Sequence, residues 1–229
     1  METGERQRAL DLLVQKLRRL DGREKLKVFS DVDDSSAATS LRVINHLGLD
    51  PKLRGRRYYW SELKHDRFIE GYDHVWLNNW KDIPPLLDYS MAKKMAESTD
   101  FRFISAREEK TVASLRKWVS CFYPDLDIPI IVVSPNPHSA HGVRKLARAP
   151  HLLIDDSPVV PPVMWDGNIA KGSILFVVDT WEEATKNINP SNTAVLRDAN
   201  QAAEVVIEAV KFESARREVE GPRKQRVTS

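Results

Sequence analysis

Residues 27–35 of the chain read KVFSDVDDS, a short apolar run followed by three carboxylates within four positions. Side chains alternate between the two faces of a strand, so Asp31 and Asp33 would point the same way on a strand that continued through them. Two carboxylates on one face repel each other unless a cation lies between them. Open α/β sheets bind their ligands at the carboxyl ends of their strands. We therefore interpret the stretch as a strand leading into a functional site; a polar turn after a buried strand would show the same pattern.

The pattern of apolar residues along the chain predicts an α/β fold with a doubly wound parallel sheet and a Rossmann-like core. Short apolar runs rich in β-branched residues alternate with segments of helical period. The predicted strands cover residues 28–31, 101–104, 128–133, 151–154 and 174–178, and the predicted helices cover residues 3–21, 37–47, 61–70, 86–98, 105–122 and 202–210. Gly48 and Gly71 are interpreted as the ends of two of these helices. Such alternation is typical of a parallel sheet with helices on both faces.

The composition along the chain suggests a core, an insert and two terminal segments. The predicted divisions are an N-terminal helix in residues 1–25, a core in residues 26–49 and 88–190, a helical segment in residues 191–220 and a disordered basic tail in residues 221–229. Residues 50–87 are interpreted as a small, mostly helical cap insert, because basic residues there run into an aromatic-rich segment. The aromatic residues either form a small core of the insert, or bind a phosphate and a ring together with the arginines.

The overall composition limits the class of protein. With 229 residues, 41% of them hydrophobic and 30% charged, the chain can bury one substantial core, with or without a small insert. The formal net charge of +2 gives no strong overall field for nucleic acid or a membrane, although basic residues cluster near both ends. Cys121 is the one cysteine, which excludes an internal disulfide and a cysteine-rich zinc site. Because neither a signal peptide nor a membrane-length apolar stretch is evident, we expect a cytoplasmic protein without a membrane partner.

Polar side chains also follow the later predicted strands, at the same edge of the sheet as the first acids. Ser105 ends the strand at residues 101–104, and Arg107 comes two positions later. A hydroxyl at this point suits a phosphate oxygen, but Ser105 and Glu108 also fit a capping box at the start of the next helix. The remaining polar residues expected at this edge are Lys145 or its neighbour Arg144, and the acid pair Asp155 and Asp156.

In chain order, these features resemble the four motifs of the haloacid dehalogenase-like (HAD) hydrolase superfamily, whose members are mostly phosphatases. The run from Asp31 to Ser35 is similar to the first motif, in which an apolar strand precedes Asp-x-Asp-x-Thr/Val/Ser. Ser105 stands as the serine or threonine of the second motif, and Lys145 as the lysine of the third. Residues 152–156, LLIDD, are similar to the fourth motif, an acid pair after an apolar strand. The resemblance covers roughly residues 26–188, and four motifs in order are more specific than any one of them.

The resemblance implies a phosphatase that works through an aspartyl-phosphate intermediate. Asp31 would be the nucleophile. Asp33 would protonate the leaving oxygen and later deprotonate the attacking water. Ser105 and Lys145 would hold the phosphoryl oxygens, with Arg107 as an additional substrate contact.

The resemblance also implies a Mg²⁺ cofactor. The ion would be bound by Asp31, by Asp155 with Asp156 behind it, and by the carbonyl oxygen of Asp33. A phosphate ester is a dianion, so a carboxylate can approach it only when part of the charge is neutralised.

The expected substrate is a phosphorylated small molecule, and the aromatic and basic content of residues 50–87 favours a nucleotide. One alternative is a polynucleotide-end phosphatase that uses the basic termini to bind nucleic acid. Another is a non-catalytic HAD-like binding or scaffold protein. The intact pair of Asp31 and Asp33 argues against the scaffold, because a scaffold has no need for two mutually repelling acids.

Overall fold

The structure is a computed structural model that describes residues 2–21, 24–50, 65–133, 145–148, 150–156, 172–178 and 191–220. The helices are α1 (Glu2–Arg19), α2 (Thr39–His46), α3 (His65–Asn78), α4 (Tyr89–Ser98), α5 (Glu109–Phe122) and α6 (Ala199–Glu220), with a 3₁₀ turn at Trp80–Asp82. The strands are β1 (Lys27–Asp31), β2 (Asp100–Ala106), β3 (Ile130–Val133), β4 (Leu152–Asp155), β5 (Ile174–Val178) and β6 (Thr193–Leu196).

The six strands form one parallel sheet in the order β3-β2-β1-β4-β5-β6. From β1 the chain moves outward through β2 and β3, then returns to the other side of β1 with β4 and moves outward again. The direction of winding therefore changes between β1 and β4. Ligand sites of open α/β sheets lie at such a point, beyond the carboxyl ends of the strands. The predicted α/β class with a parallel sheet is confirmed.

Alternating side chains of the strands form one apolar cluster on each face of the sheet. One cluster is larger than the other. Val28 of β1 and Ile154 of β4 belong to the larger cluster, and their neighbours Phe29 and Leu153 belong to the smaller one. The larger cluster includes buried residues from all six helices and contains Trp118, which is fully buried. The smaller cluster, among the described residues, receives Leu146 from outside the strands. Burial on both faces explains why the strands read as continuous apolar runs.

Helix α2 ends as predicted, whereas α3 does not. Gly48 follows α2 with a φ of +67°, a left-handed conformation that glycine adopts without steric cost. Gly71 lies inside α3, which continues to Asn78, so the prediction that this glycine ends the helix is wrong. A Cβ at Gly71 would lie 3.2 Å from the side chain of Leu47. The glycine therefore permits close packing of α3 on the end of α2, a contact that the local sequence pattern does not reveal.

The described part of the predicted insert packs on the same core as the sheet. Val75, Trp76, Ile83 and Leu87 are buried and belong to the larger apolar cluster. The indole Nε1 of Trp118, on α5, donates a hydrogen bond of 2.9 Å to the carbonyl of Ile83. Residues 51–64, which carry three of the four arginines and several aromatics of the insert, lie outside the described residues.

Residues 191–220, predicted as a segment with a helix at residues 202–210, also contain the strand β6. Its four residues pair with β5, and Ala194 and Leu196 enter the core. On the outer side, the backbone NH of Val195 donates to a carboxylate oxygen of Glu5 on α1 at 3.2 Å. The sequence pattern of residues 193–196 does not predict this strand. Its stability depends on pairing with β5 and on α1, which covers its free edge, and both are distant in the sequence. The predicted basic tail at residues 221–229 lies outside the described residues.

No helix in the described ranges combines the length and the apolar character that crossing a membrane requires.

A group of arginines around Glu213 joins the two terminal helices. Glu213 is only 3% exposed, and its carboxylate accepts hydrogen bonds from Arg216 at 2.6 Å and Arg217 at 3.1 Å. Arg217 also donates to the carbonyl of Leu17 on α1 at 2.8 Å. These hydrogen bonds, Arg216 first, lower the pKa of Glu213 to about 2. Glu213 therefore stabilises the fold in its ionised form.

We expect Glu213→Gln to lower the free energy of unfolding at pH 7 by about 2 kcal/mol, because hydrogen bonds to a charged group are lost. The pKa of Glu213 is lower in the folded state than in the unfolded state, so its contribution is complete above about pH 4.5 and is lost as the pH falls to about 2. Urea unfolding of both proteins across this range measures the difference. The exposed Glu218, on the same helix, provides a matched control as Glu218→Gln. A deficit that stays constant from pH 7 to pH 3 would contradict the prediction.

Candidate active site

Three carboxylates meet at the carboxyl ends of β1 and β4, and we call Asp31, Asp155 and Asp156 the acidic group. The register pairs Ser30 with Ile154, so the next residues, Asp31 and Asp155, end neighbouring strands. Each of the three carboxylates offers an oxygen, and these atoms all lie within 4.8 Å of one another. The sequence placed these acids at one sheet edge, and the structure brings them together at the point where the winding of the sheet changes.

Lys145 lies between two members of the acidic group. Its Nζ is 2.8 Å from an oxygen of Asp31 and 2.8 Å from an oxygen of Asp155. All three side chains are buried. Burial alone would lower the pKa of Lys145, but the carboxylates of Asp155 and Asp31 outweigh it and raise the pKa. Lys145 is therefore a buried cation shared by two carboxylates. Its alternative, Arg144, lies outside the described residues.

When all three of its carboxylates are ionised, the acidic group carries more negative charge than Lys145 neutralises. Burial, with smaller effects of nearby carboxylates, raises the pKa of Asp31 to about 8, although Lys145 acts in the opposite direction. Burial and the neighbouring Asp155 likewise raise the pKa of Asp156 well above its ordinary value. Three ionised carboxylates beside one ammonium would leave two negative charges. Hard oxygen ligands with this excess charge suit a divalent cation such as Mg²⁺.

Asp33 lies beyond the end of β1 and has different neighbours from Asp31. Its carboxylate is not part of the acidic group, so the expectation that both acids face one cation with their side chains is not met. The turn after it places Asp34 at a φ of 58° and returns the chain so that Asp33 forms a bridge with Ala37. The strand has ended by this point, and the alternation of side chains no longer applies. The resemblance implies that Asp33 binds the metal ion through its carbonyl oxygen, and the position of its carboxylate away from the acidic group agrees with that role.

Five side chains donate hydrogen bonds to the carboxylate of Asp33, and we call them the Asp33 donor set. Those on Oδ1 are Thr39 at 2.7 Å and Trp76 at 3.2 Å, and those on Oδ2 are Tyr72 at 2.7 Å, Arg107 at 2.8 Å and Ser105 at 3.2 Å. Burial alone would raise the pKa of Asp33, but the charge of Arg107, with the hydrogen bonds from Thr39 and Tyr72, holds it below its ordinary value. An ionised carboxylate is the form that accepts a proton.

Ser105 and Arg107, which stay predicted phosphate contacts, contact each other and Asp33 in this structure. The Nε of Arg107 donates to the Ser105 hydroxyl at 2.8 Å, and Nη2 pairs with Asp33. The guanidinium also lies over the indole of Trp76, 4.1 Å from the ring centroid. Ser105 belongs to β2 and does not cap α5, because the N-cap residue is Glu108 and its side chain makes no cap hydrogen bond. The capping-box prediction is therefore wrong.

Thr39, Tyr72 and Trp76 are site residues that the sequence analysis missed. Tyr72 and Trp76 are four positions apart on α3, so they share one face of the helix. Two aromatic residues that each carry a hydrogen-bond donor, at this spacing, could have indicated that one face of a helix binds a polar group. Thr39, at the start of α2, carried no signal of its own. The aromatic residues of the insert were expected to form a core or to bind a ring. Trp76 does belong to the larger apolar cluster and Tyr72 packs against it, and both also donate to Asp33.

The comparisons with known proteins give structural matches only. No family model matches the sequence, and no curated protein matches it.

Several solved structures resemble the fold. A HAD family hydrolase from Deinococcus radiodurans R1, with bound phosphate and sodium, is 14% identical, and the match covers 82% of this chain and 97% of that chain with a TM-score of 0.48. A HAD hydrolase from Entamoeba histolytica is 11% identical over 81% and 99% of the two chains, with a TM-score of 0.42. A cytosolic 5'-nucleotidase IIIB bound to cytidine is 11% identical over 91% and 90%, with a TM-score of 0.43. The four sequence motifs resemble those of the haloacid dehalogenase-like hydrolases, and these solved structures are similar to the chain in fold at 11–14% identity.

Proposed function

We propose that the protein is a phosphatase that hydrolyses a phosphomonoester through a phosphorylated Asp31. The observation that carries the proposal is the acidic group, in which buried carboxylates from β1 and β4 surround Lys145. A structural ion pair needs one acid for one lysine. Three acids gathered at the ligand-binding edge of the sheet suit the binding of a cation together with a phosphoryl group.

In the first step, a carboxylate oxygen of Asp31 attacks phosphorus. A bond forms between that oxygen and phosphorus, the ester P–O bond breaks, and the leaving oxygen departs with the bonding electrons. Lys145, 2.8 Å from the nucleophile, favours the ionised form of Asp31 and carries positive charge next to the phosphoryl oxygens. Catalysis of this kind consists mainly of positioning and of neutralising charge.

In the second step, Asp33 accepts a proton from a water molecule as the water attacks the phosphorylated Asp31. The water oxygen bonds to phosphorus, the bond between phosphorus and the Asp31 oxygen breaks, and inorganic phosphate leaves. The lowered pKa of Asp33 favours the ionised form that this base role needs. Once protonated, Asp33 can donate the proton to the leaving oxygen of the next substrate, which is the acid role that the resemblance also implies. Leaving groups of low pKa, such as phenols, need this donation least.

We propose Mg²⁺ as the cofactor, held by the acidic group and the carbonyl oxygen of Asp33. These donors are the hard oxygens that Mg²⁺ prefers, and their excess negative charge matches a divalent ion. When bound, Mg²⁺ supplies positive charge that neutralises part of the charge of the phosphoryl group.

We propose a small phosphorylated molecule as the substrate, with nucleotides among the candidates. Two of the basic residues near the N-terminus make contacts within the chain. The Nζ of Lys16 donates to the carbonyl of Gly172 at 2.6 Å, and the Nε of Arg18 lies 3.8 Å from a carboxylate oxygen of Glu213. These contacts engage two of the basic residues that a polynucleotide-end phosphatase would use to bind phosphates, which favours a small substrate.

Hydrolysis of p-nitrophenyl phosphate, measured with Mg²⁺ and with EDTA, tests the proposal. We expect turnover with Mg²⁺ and a loss of at least about tenfold with EDTA, because charge neutralisation of a dianion is worth several kcal/mol. Mg²⁺ should also raise the unfolding temperature, since a ligand that binds only the folded state stabilises it.

Asp155→Asn serves as the matched variant for the metal site, with the exposed Asp88→Asn as its control. The effect of Mg²⁺ on the unfolding temperature should disappear in the first and persist in the second. If the wild type shows neither turnover nor any response of its unfolding temperature to Mg²⁺, the protein is instead a non-catalytic scaffold with this fold.

A further inference from the structure

Helix α3 supplies two of the five donors that hold the Asp33 carboxylate. The hydroxyl of Tyr72 donates to Oδ2 at 2.7 Å, and the indole Nε1 of Trp76 donates to Oδ1 at 3.2 Å. A carboxylate bonded at one oxygen can rotate about its terminal torsion, which has a broad energy profile. Hydrogen bonds on both oxygens remove that freedom. The two residues of α3, one on each oxygen, add to the restraint on the orientation of Asp33 that the other three members of the Asp33 donor set provide.

The position of these donors is determined by the packing of α3 on the core. Trp76 is fully buried, and its ring meets that of Trp118 edge to face with centroids 6.2 Å apart. On the same helix, Asp73 forms an ion pair of 2.6 Å with Lys110 of α5. Close packing of the buried face of α3 holds the helix on the core, so its donors reach Asp33 with little conformational freedom left to lose.

We propose that Tyr72 and Trp76 are positioning residues that hold the Asp33 carboxylate in the orientation required to take a proton from the attacking water. The inference rests on the proposed phosphatase function. It assigns α3 a role in the second step, the hydrolysis of the phosphorylated Asp31. Asp33 is 22% exposed, whereas Arg107 behind it is fully buried. The donors thus lie on the protein side of the carboxylate and leave its solvent side for water. Neither aromatic residue needs to touch the substrate.

The test is Tyr72→Phe, which removes one hydroxyl and keeps the ring. Tyr123→Phe is the matched control, because the hydroxyl of Tyr123 also makes a buried hydrogen bond, of 2.8 Å to the carbonyl of Leu87, away from the site. We expect Tyr72→Phe to lower kcat for p-nitrophenyl phosphate by about tenfold or more and to lower KM with it, so that kcat/KM changes less than about twofold, since the slowed step follows the release of p-nitrophenol. Tyr123→Phe should keep both constants within about twofold of the wild type.

The two-step reaction gives a second readout, which a general structural defect would not produce. Slower hydrolysis of the phosphorylated Asp31 makes it accumulate, so rapid mixing of Tyr72→Phe with p-nitrophenyl phosphate should release a burst of p-nitrophenol approaching one equivalent per protein. Trp76→Phe, which removes the indole NH and keeps an aromatic ring beside Arg107, should show the same burst. Thermal unfolding of each variant measures its structural effect separately.

The outcomes distinguish the inference from the proposed function. An inactive wild type would overturn the phosphatase proposal and this inference with it. An active wild type together with a normal kcat for Tyr72→Phe, or with equal losses in Tyr72→Phe and Tyr123→Phe, would overturn the inference alone. A raised KM at constant kcat would also overturn it, because Tyr72 would then contribute to substrate binding.

Discussion

Asp31→Asn is expected to abolish turnover of p-nitrophenyl phosphate, with a loss in kcat of roughly 10³-fold or more, because an amide cannot serve as the nucleophile. The fold should persist. Burial raises the pKa of Asp31 to about 8, so a neutral side chain of the same shape is readily accommodated there. Lys145 also keeps its second partner, Asp155, at 2.8 Å. Steady-state kinetics with Mg²⁺, together with thermal unfolding, measures both effects.

The control for Asp31→Asn is Asp82→Asn, which removes a charge from an exposed aspartate paired with Arg42. Its kcat should remain within about twofold of the wild type, since surface substitutions away from a site have small effects. Turnover that survives in Asp31→Asn would show that the nucleophile lies elsewhere. An unfolded Asp31→Asn would shift the comparison to Asp31→Ser, which removes the carboxylate and keeps a small polar side chain.

Lys145→Met is expected to destabilise the fold by about 3–5 kcal/mol at pH 7, because it removes the cation from a buried ion pair. Asp31 and Asp155 would then remain buried next to each other without the ammonium that contacts both at 2.8 Å. Urea unfolding in EDTA measures the loss. Addition of Mg²⁺ should restore part of it, because a divalent cation between the carboxylates replaces the missing positive charge.

Lys110→Met provides the comparison for Lys145→Met. Lys110 also pairs with two carboxylates, Asp73 at 2.6 Å and Glu108 at 2.9 Å, but its side chain is 46% exposed. Exposed ion pairs contribute little, so the stability of Lys110→Met should stay close to that of the wild type. Equal losses in the two variants, or no recovery of Lys145→Met with Mg²⁺, would contradict the assignment of a cation site to the acidic group.

The acidic group was predictable from the sequence because each member directly follows an apolar strand. Parallel strands end at the same edge of a sheet, so the fold class places Asp31, Asp155 and Asp156 at one edge, and the pairing of β1 with β4 brings them together. Lys145 carried no such local signal. It was placed here by the order of motifs, and its contacts with both carboxylates are a finding of the structure.

The surroundings of Asp33 were not predictable from the sequence in the same way. The alternation rule, applied to residues 31–33, predicts that the two acids face the same way, but β1 ends at Asp31. After that point the direction of a side chain depends on the turn and not on the strand. The donors come from α2, α3 and the end of β2, which are separated by long stretches of chain. Their meeting at one carboxylate depends on how the helices pack on the sheet.

The sequence by itself determined the parallel α/β fold and the edge at which the acids collect, because strand periodicity and the ends of strands are local properties of the chain. Only the tertiary structure decided that Gly71 lies within a helix, that residues 193–196 form an edge strand, and that Tyr72 and Trp76 bind Asp33. Each of these depends on a contact between segments distant in the chain, where packing overrides the local preference of the residues.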